Sequence, residues 1–285
     1  MNIGLITVRG HDYHPNRRLG EAAAEQGHRI TLVHPYRVWP GLEEGEPSLV
    51  SQPGMEPLDV VLPRQGATVG DSCLALIHHF SLKGIPVVNN LDSIRITRNK
   101  FLTLQTLATA RIPLPDTLFV NSGEGFQEAL ARLGGCPVVA KQSVICDHLD
   151  RFKGLLVQRF IPPAARQDIR VLVVGRKVAG AMELRPKEGD FRANYHLSGE
   201  SRPKDLPPKL ERIALKAAGA VGLEIAGVDL IVDQNDRVNV IEVNYSPGFK
   251  GLEAATGLDI AGTIVDYVAS AYGRGGTLRP SPEKG

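Results

Sequence analysis

The stretch Glu224–Phe249, EIAGVDLIVDQNDRVNVIEVNYSPGF, constrains the fold more than any other part of the chain. Two runs rich in β-branched residues, 227–232 and 238–243, flank the polar tetrapeptide DQND at 233–236. Such a pattern is typical of two antiparallel strands that are joined by a short loop. The sequence therefore predicts a hairpin in which apolar residues alternate with a few acids.

The register of this hairpin decides where its acids point. If Val232 pairs with Arg237, Asp229 lies opposite Val240 and diagonal to Glu242. Diagonal neighbours lie roughly 7–8 Å apart at Cβ, a span that two carboxylates can close around one cation. A slip of one residue would turn Glu242 away from Asp229, because side chains alternate between the two faces of a strand.

Asn244 adds an amide oxygen to the same face, two residues beyond Glu242. The turn sequence SPG at 246–248 then stops the strand, as expected where a chain turns beside a site. Two carboxylates and an amide oxygen are the hard ligands that Mg²⁺ prefers. We therefore predict a metal site on Asp229, Glu242 and Asn244; the alternative is a half-exposed hairpin whose acids face water.

Length and charge exclude several classes of protein. The 285 residues suffice for two or three modest domains, and a net charge of +2 is too weak to indicate nucleic acid or an anionic membrane as main partner. Apolar runs such as 171–174 are too short for a membrane span, and the N-terminal MNIGLITVRG is typical of a buried strand. Three cysteines without C-x-x-C spacing predict reduced thiols and no zinc. We expect a cytoplasmic protein.

Residues 1–95 alternate between strand and helix patterns, which predicts a small open parallel sheet with right-handed crossovers and a fourth strand at 85–89. Substrate groups should lie beyond the carboxyl ends of its strands, where Arg17 and Arg64 occur. Either arginine could hold a carboxylate, although arginines at such positions often only face solvent. The first strand lacks a following G-x-G-x-x-G, which disfavours a Rossmann dehydrogenase. We expect 41–57 to be a surface loop without visible chemistry.

Two further features place positive charge near a potential anion site. Lys141 ends the apolar run 137–141, so its ammonium group either reaches solvent or binds an anion. The loop 185–194 is dense in charge, and its arginines and lysine could contact a triphosphate opposite the acidic hairpin. Charged loops are more often only solvated.

Taken together, these motifs resemble the ATP-grasp carboxylate–amine ligases and, among them, the RimK family, whose founding member adds glutamate to the C terminus of a small-subunit ribosomal protein. The resemblance covers nearly the whole chain. It is carried by RNK at 98–100, VVAK at 138–141, DIR at 168–170, KEGDFRAN at 187–194, AGVD at 226–229, EVN at 242–244, SPG at 246–248 and TGLDIAG at 256–262.

The resemblance implies an α/β fold with α+β lobes, the ATP-grasp fold. It implies an N-terminal pre-ATP-grasp domain with an open parallel sheet at 1–95 and ATP-grasp lobe A at 96–161. Lobe B with the metal site would follow at 162–272, and a disordered tail at 273–285.

The resemblance also implies roles for particular residues. Cofactor-binding residues would be Lys100 and Lys141 at the ATP phosphates, Arg159 and Phe160 along the adenine through backbone groups, Asp168 at the ribose, and Arg192, Ala193 and Asn194 on the phosphate side. The catalytic residues would be Lys141 and Arg192. Two Mg²⁺ or Mn²⁺ ions would bind Asp229, Glu242 and Asn244, in agreement with the hairpin pattern. Candidates for substrate contact are Arg17, Arg64 and Arg170.

Two departures from the family pattern affect these roles. The family's lysine strand continues into a glycine-rich hairpin and helix that fold over the triphosphate, whereas here a short helical pattern at 144–152 follows almost at once. Either the lid is missing, or a segment between Ser143 and Val144 belongs to the intact protein; the intact flanking motifs favour the second. Arg159 stands where the family usually has glutamate, which affects nucleotide preference more than binding.

The resemblance implies amide-bond formation through an acyl phosphate, with L-glutamate added to a protein or peptide C terminus. The alternatives are an amino-acid ligase with a cofactor or small-molecule acceptor, and a catalytically silent nucleotide-binding module. We expect ATP, an amino acid and an acceptor as partners, neither nucleic acid nor membrane, and a homo-oligomer. The sequence reveals no general base, so positioning and charge neutralisation would supply most of the rate.

Overall fold

The computed structural model describes residues 1–50, 55–65, 70–142, 154–185 and 200–273. The chain divides into two compact units, of which the first comprises Met1–Leu91, Gly248–Lys250 and Asp259–Gly285. The second comprises Asp92–Pro247 and Gly251–Leu258.

The described residues form the following elements. The strands are β1 (Asn2–Ile6), β2 (Arg29–Val33), β3 (Trp39–Glu43), β4 (Glu46–Val50), β5 (Val60–Pro63), β6 (Thr117–Val120), β7 (Val138–Gln142), β8 (Leu155–Arg159), β9 (Arg166–Val174), β10 (Lys177–Arg185), β11 (Glu200–Pro203), β12 (Ile225–Asp233) and β13 (Val238–Asn244). The helices are α1 (His14–Glu25), α2 (Asp71–Leu82), α3 (Leu91–Arg98), α4 (Lys100–Thr109), α5 (Gly123–Leu133), α6 (Pro208–Ala220), α7 (Lys250–Thr256) and α8 (Ile260–Tyr272).

The first unit is built on a parallel sheet in the order β2-β1-β5. Every residue of β1 and β5 is buried, as expected for strands that are covered on both faces. The predicted parallel sheet is therefore confirmed, but the predicted fourth strand at 85–89 is wrong. It is reduced to one parallel bridge between Val61 and Val87, because Pro86 has no N–H to extend the ladder.

The predicted surface loop at 41–57 is also wrong, since β3 and β4 form an antiparallel hairpin there. Glu44 and Gly45 make its turn with φ angles of 52° and 85°, the positive values that a two-residue hairpin turn of type I′ requires. Pro40 and Pro47 suggest a loop in the sequence, but proline is tolerated on edge strands, and both strands of this hairpin are edges.

Helix α8 belongs to the first unit, whereas the sequence analysis assigned it to lobe B. It packs against α1, and the Gln26 amide donates to the Gly262 carbonyl oxygen over 3.2 Å. Arg18 forms an ion pair of 3.0 Å with Asp259, the residue that caps α8. The sequence does not reveal this packing because more than 230 residues separate the two helices.

The second unit contains two antiparallel sheets, in the orders β6-β8-β7 and β11-β10-β9-β12-β13. Helix α5 covers the first sheet, where Val120, Ala129, Leu133 and Val157 form a small apolar core. Helix α6 packs against β9, β12 and β13 of the second sheet. Each sheet therefore has a helix of its own, and the two sheets supply the strands that carry the candidate site.

Within the described ranges, no helix combines the length and the apolar character that crossing a bilayer requires. Cys73 is buried and Cys136 exposed, both as free thiols, and Cys146 lies outside the described residues.

Candidate active site

The hairpin of β12 and β13 brings two acids together in a register that differs from the predicted one. Val232 pairs with Val238, so the predicted pairing with Arg237 is wrong. A β-bulge next to Asp229 then shifts the register, and Asp229 lies directly opposite Glu242 rather than diagonal to it. Without this bulge, the alternation of side chains would put Glu242 on the face opposite to Asp229. The bulge is therefore the feature that joins the two carboxylates.

Asn244 pairs with Gly227, two residues from the pair of acids, so its side chain lies on their face of the sheet. Gly227 is needed at this position, because a Cβ there would lie 2.8 Å from the Pro247 Cβ. The chain can thus turn back over Gly227 immediately after Asn244.

Both acids have a cationic partner in the same unit. Arg170 lies next to Asp229 on β9 and forms two 2.7 Å hydrogen bonds with its carboxylate, through Nε and Nη2. Lys100, at the start of α4, lies with its Nζ 2.9 Å from the Glu242 Oε1. The nearby Asp229 carboxylate raises the pKa of the Arg170 guanidinium, so the guanidinium stays charged. Arg170, a predicted substrate group, thus contacts the metal-ligand candidate Asp229.

The residues present fit a hard divalent cation. Among the described residues, no three His, Cys, Asp or Glu side chains cluster as a metal site, and this face offers two carboxylates and one amide oxygen instead. Such a set of a few oxygen donors suits Mg²⁺ or Mn²⁺, which share their coordination between carboxylates, water and nucleotide phosphates. Asp229, Glu242 and Asn244 would hold such an ion.

A cavity of about 320 Å³ opens beside these acids, between the two sheets of the second unit. The predicted site residues that line it are Lys100, Lys141, Arg159, Asp168, Asp229 and Glu242. Apolar side chains such as Val139, Ile161 and Leu184 line it as well. A cavity with both apolar and charged walls suits a ligand with a flat ring at one end and anionic groups at the other.

Lys141 is the penultimate residue of β7 and is partly buried. Its Nζ donates to the side-chain oxygen of Gln158 over 3.0 Å, and burial lowers the pKa of its ammonium group despite the attraction of Glu242. A neutral amide does not neutralise the charge of a buried ammonium group, so the ammonium group remains available to bind an anion. This geometry suits the phosphate contact that was predicted for Lys141.

Asp168 and Arg159 have side-chain partners within the protein. The Asp168 carboxylate forms a 2.9 Å ion pair with Arg166, which also donates to the Ile161 carbonyl oxygen. Burial raises the pKa of Asp168 and outweighs the opposing effect of Arg166. Arg159 is half-exposed and lies 2.7 Å from Asp116. The sequence analysis missed Arg166. The R-x-D spacing of Arg166 and Asp168 is the signal that could have indicated it.

The remaining predicted residues are not placed in this cavity. Arg17 and Arg64 belong to the first unit, where Arg17 pairs with Glu21 over 2.6 Å. The Arg64 guanidinium lies 5.8 Å from the centroid of the Phe249 ring, and burial lowers its pKa to about 10. Outside the described residues lie Arg192, Ala193, Asn194, the junction of Ser143 and Val144, and the tail from 274 onwards.

Comparison with known proteins yields two family models that together match most of the chain. The RimK PreATP-grasp domain matches residues 1–94, and the RimK-like ATP-grasp domain matches residues 97–268. Curated proteins named "Probable alpha-L-glutamate ligase" are similar over nearly their whole length. That of Alkalilimnicola ehrlichii is 35% identical, with 97% of this chain and 98% of the relative covered. That of Thioalkalivibrio sulfidiphilus is 34% identical, with 94% and 95% covered.

Solved structures share the fold. A RimK domain ATP-grasp protein from Sphaerobacter thermophilus superposes with a TM-score of 0.73 at 25% identity and covers 94% of this chain and 99% of its own. The ATP-grasp ligase PsnB, in complex with a minimal precursor, Mg and ADP, superposes with a TM-score of 0.70 at 20% identity, with 94% and 96% covered.

Proposed function

The chain belongs to the RimK family of ATP-grasp ligases, and from this premise we propose that it adds L-glutamate to the C terminus of a protein or peptide. The observation that carries the proposal is the cavity in which Lys100 and Lys141 lie beside the opposed acids Asp229 and Glu242. Cations and metal-binding carboxylates at one end of such a cavity are what a nucleotide triphosphate requires.

In this proposal the apolar part of the cavity takes the adenine, and the backbone of Arg159 and Phe160 lies along its edge. Lys141 and Lys100 bind phosphate oxygens, and Asp229, Glu242 and Asn244 hold the divalent ions. When bound, these ions would supply positive charge where the phosphates and the attacking carboxylate approach each other.

The chemistry consists of two displacements. An oxygen of the acceptor carboxylate forms a bond to the γ-phosphorus of ATP while the bond to the bridging oxygen breaks, which gives an acyl phosphate and ADP. The amine nitrogen of glutamate then forms a bond to the acyl carbon, phosphate leaves, and the nitrogen loses a proton. Lys100 and Lys141, which line the cavity, contribute positive charge from the protein's own side chains, and positioning supplies most of the remaining rate.

The acyl phosphate predicts a transfer of oxygen. An acceptor peptide whose C-terminal carboxylate carries ¹⁸O should pass one labelled oxygen into phosphate for each amide formed, as measured by mass spectrometry of the phosphate. Turnover that leaves the phosphate unlabelled would show that no acyl phosphate forms. ADP release that needs both glutamate and acceptor distinguishes a ligase from a silent nucleotide-binding module.

A peptide is the acceptor that the comparisons favour. The relatives' name specifies glutamate as the substrate, and the solved PsnB structures contain precursor peptides. We also propose that the protein binds two divalent ions, lies in the cytoplasm and forms a homo-oligomer. Titration with Mn²⁺ in the presence of a non-hydrolysable ATP analogue would count the ions.

The side chain of Arg159 should contribute little to ATP binding. It is 54% exposed at the rim of the cavity and pairs with the exposed Asp116, a type of ion pair that contributes little. We expect Arg159→Ala to change KM for ATP by less than about threefold. A loss of tenfold or more, or a switch from ATP to GTP in kcat/KM, would show that the side chain itself reads the nucleotide.

A further inference from the structure

Gln158 is a buried polar residue in the cavity wall that neither the nucleotide nor the metal role explains. The residue is 3% exposed and lies on β8, the central strand of its sheet. Both ends of its amide are bonded: Oε1 accepts from the Lys141 Nζ over 3.0 Å, and Nε2 donates to the Thr117 Oγ1 over 2.9 Å. The amide therefore links a lysine and a threonine on the two flanking strands.

The register of the sheet makes this chain of hydrogen bonds possible. Gln158 pairs with Thr117 on β6 and with Val139 on β7. Lys141 lies two residues beyond Val139, and residues two apart share a face of the sheet. The side chains of Thr117, Gln158 and Lys141 therefore lie on one face, in a row that crosses three neighbouring strands.

The hydroxyl of Thr117 fixes the direction of this chain. It donates its single hydrogen to the Pro115 carbonyl oxygen over 2.8 Å, so its oxygen can only accept from Gln158. The NH₂ end of the Gln158 amide must then face Thr117, and the carbonyl end must face Lys141. A flipped amide would set one donor against the Lys141 ammonium and an acceptor against the Thr117 oxygen.

We propose that Gln158, oriented by Thr117, is a positioning residue that aims the Lys141 ammonium at the nucleotide phosphates and leaves its charge uncompensated. A neutral oxygen holds the ammonium in place, whereas a carboxylate at position 158 would form an ion pair with it and compete with phosphate. This inference rests on the proposed function, because it takes Lys141 as a phosphate ligand.

The first test replaces the neutral oxygen by a charged one. Gln158→Glu keeps the shape of the side chain, and we expect at least a roughly tenfold rise in Kd for Mg·ATP and in KM for ATP, with KM for glutamate little changed. The matched control is Gln167→Glu, because Gln167 on β9 accepts from Lys204 over 3.0 Å at an exposed position. This control should change KM for ATP by less than about twofold.

The second test leaves Gln158 in place and changes its orienting partner. Thr117→Val removes the oxygen with little change of shape, so the amide is free to rotate, and KM for ATP should rise about three- to tenfold with kcat little changed. Thr117→Ser retains the hydroxyl and should restore the wild-type value. Melting temperatures of all variants separate this effect from a loss of folding.

The results distinguish the chain of hydrogen bonds through Thr117, Gln158 and Lys141, here called the relay, from the nucleotide site itself. One outcome is that Lys141→Met weakens Mg·ATP binding, while Gln158→Glu has the same KM for ATP as Gln167→Glu and Thr117→Val the same as Thr117→Ser. In that case the relay is wrong, but Lys141 still binds phosphate. If Lys141→Met leaves Mg·ATP binding unchanged, both the relay and the phosphate role of Lys141 are wrong. A selective rise in KM for ATP in Gln158→Glu and Thr117→Val supports the relay.

Discussion

Replacing Glu242 by glutamine should lower kcat for ligation at least about a hundredfold at saturating ATP and Mg²⁺, because it removes one of the two opposed carboxylates of the proposed metal site. The change retains the shape of the side chain and an oxygen that can still accept from Lys100. That ion pair is more than one-third exposed on both sides, so its loss should hardly affect folding. Steady-state kinetics would measure the loss of kcat. Mn²⁺ binding to the nucleotide-free protein would measure the loss of the metal site.

Glu183→Gln is the matched control for this experiment. Glu183 lies on β10 of the same sheet and pairs with Lys204 over 3.1 Å, at a side-chain exposure of 24%. We expect its removal to change kcat by less than about twofold, because it lies outside the cavity lining. Equal losses in both variants, or a Glu242→Gln enzyme within threefold of the wild type, would contradict the metal role of Glu242.

The sequence was sufficient to predict the acidic hairpin but not its register. The β-branched runs of β12 and β13 and the polar turn between them are local signals, and the structure forms both strands where they indicate. The bulge beside Asp229 is a different kind of feature, because β12 pairs with β13 on one side and with β9 on the other. Its position follows from the packing of three strands, which no local pattern encodes.

The sequence did not reveal the cationic partners of the two acids either. Lys100 and Glu242 are 142 residues apart, and Arg170 and Asp229 are 59 apart, so no spacing rule connects either pair. The resemblance to a family pointed to Lys100 and Arg170 as separate contacts for phosphate and substrate. Only the strand order that puts β9 beside β12 shows Arg170 facing Asp229. Sequence motifs identified the residues of this site, whereas their pairing depends on the tertiary fold.

Replacing Asp229 by asparagine should lower the free energy of unfolding by about 2–3 kcal/mol, because it leaves the charge of Arg170 without its carboxylate. Removing one partner of a fully buried ion pair costs about 3–5 kcal/mol, and the smaller figure applies here because each side chain is 21% exposed. Urea unfolding would measure the loss. The exposed ion pair of Arg29 and Glu56 offers the control, and Glu56→Gln should leave the urea midpoint nearly unchanged.

A double variant separates the structural effect of this pair from its chemical one. Arg170→Met combined with Asp229→Leu removes both charges and fills the space with apolar atoms, so it should regain most of the stability that Asp229→Asn loses. Its ligase activity should remain at least about a hundredfold below the wild type, since the carboxylate proposed to hold the metal is still missing. If stability and activity return together, Asp229 acts only as a structural partner of Arg170. If stability returns alone, the carboxylate is needed for the reaction itself.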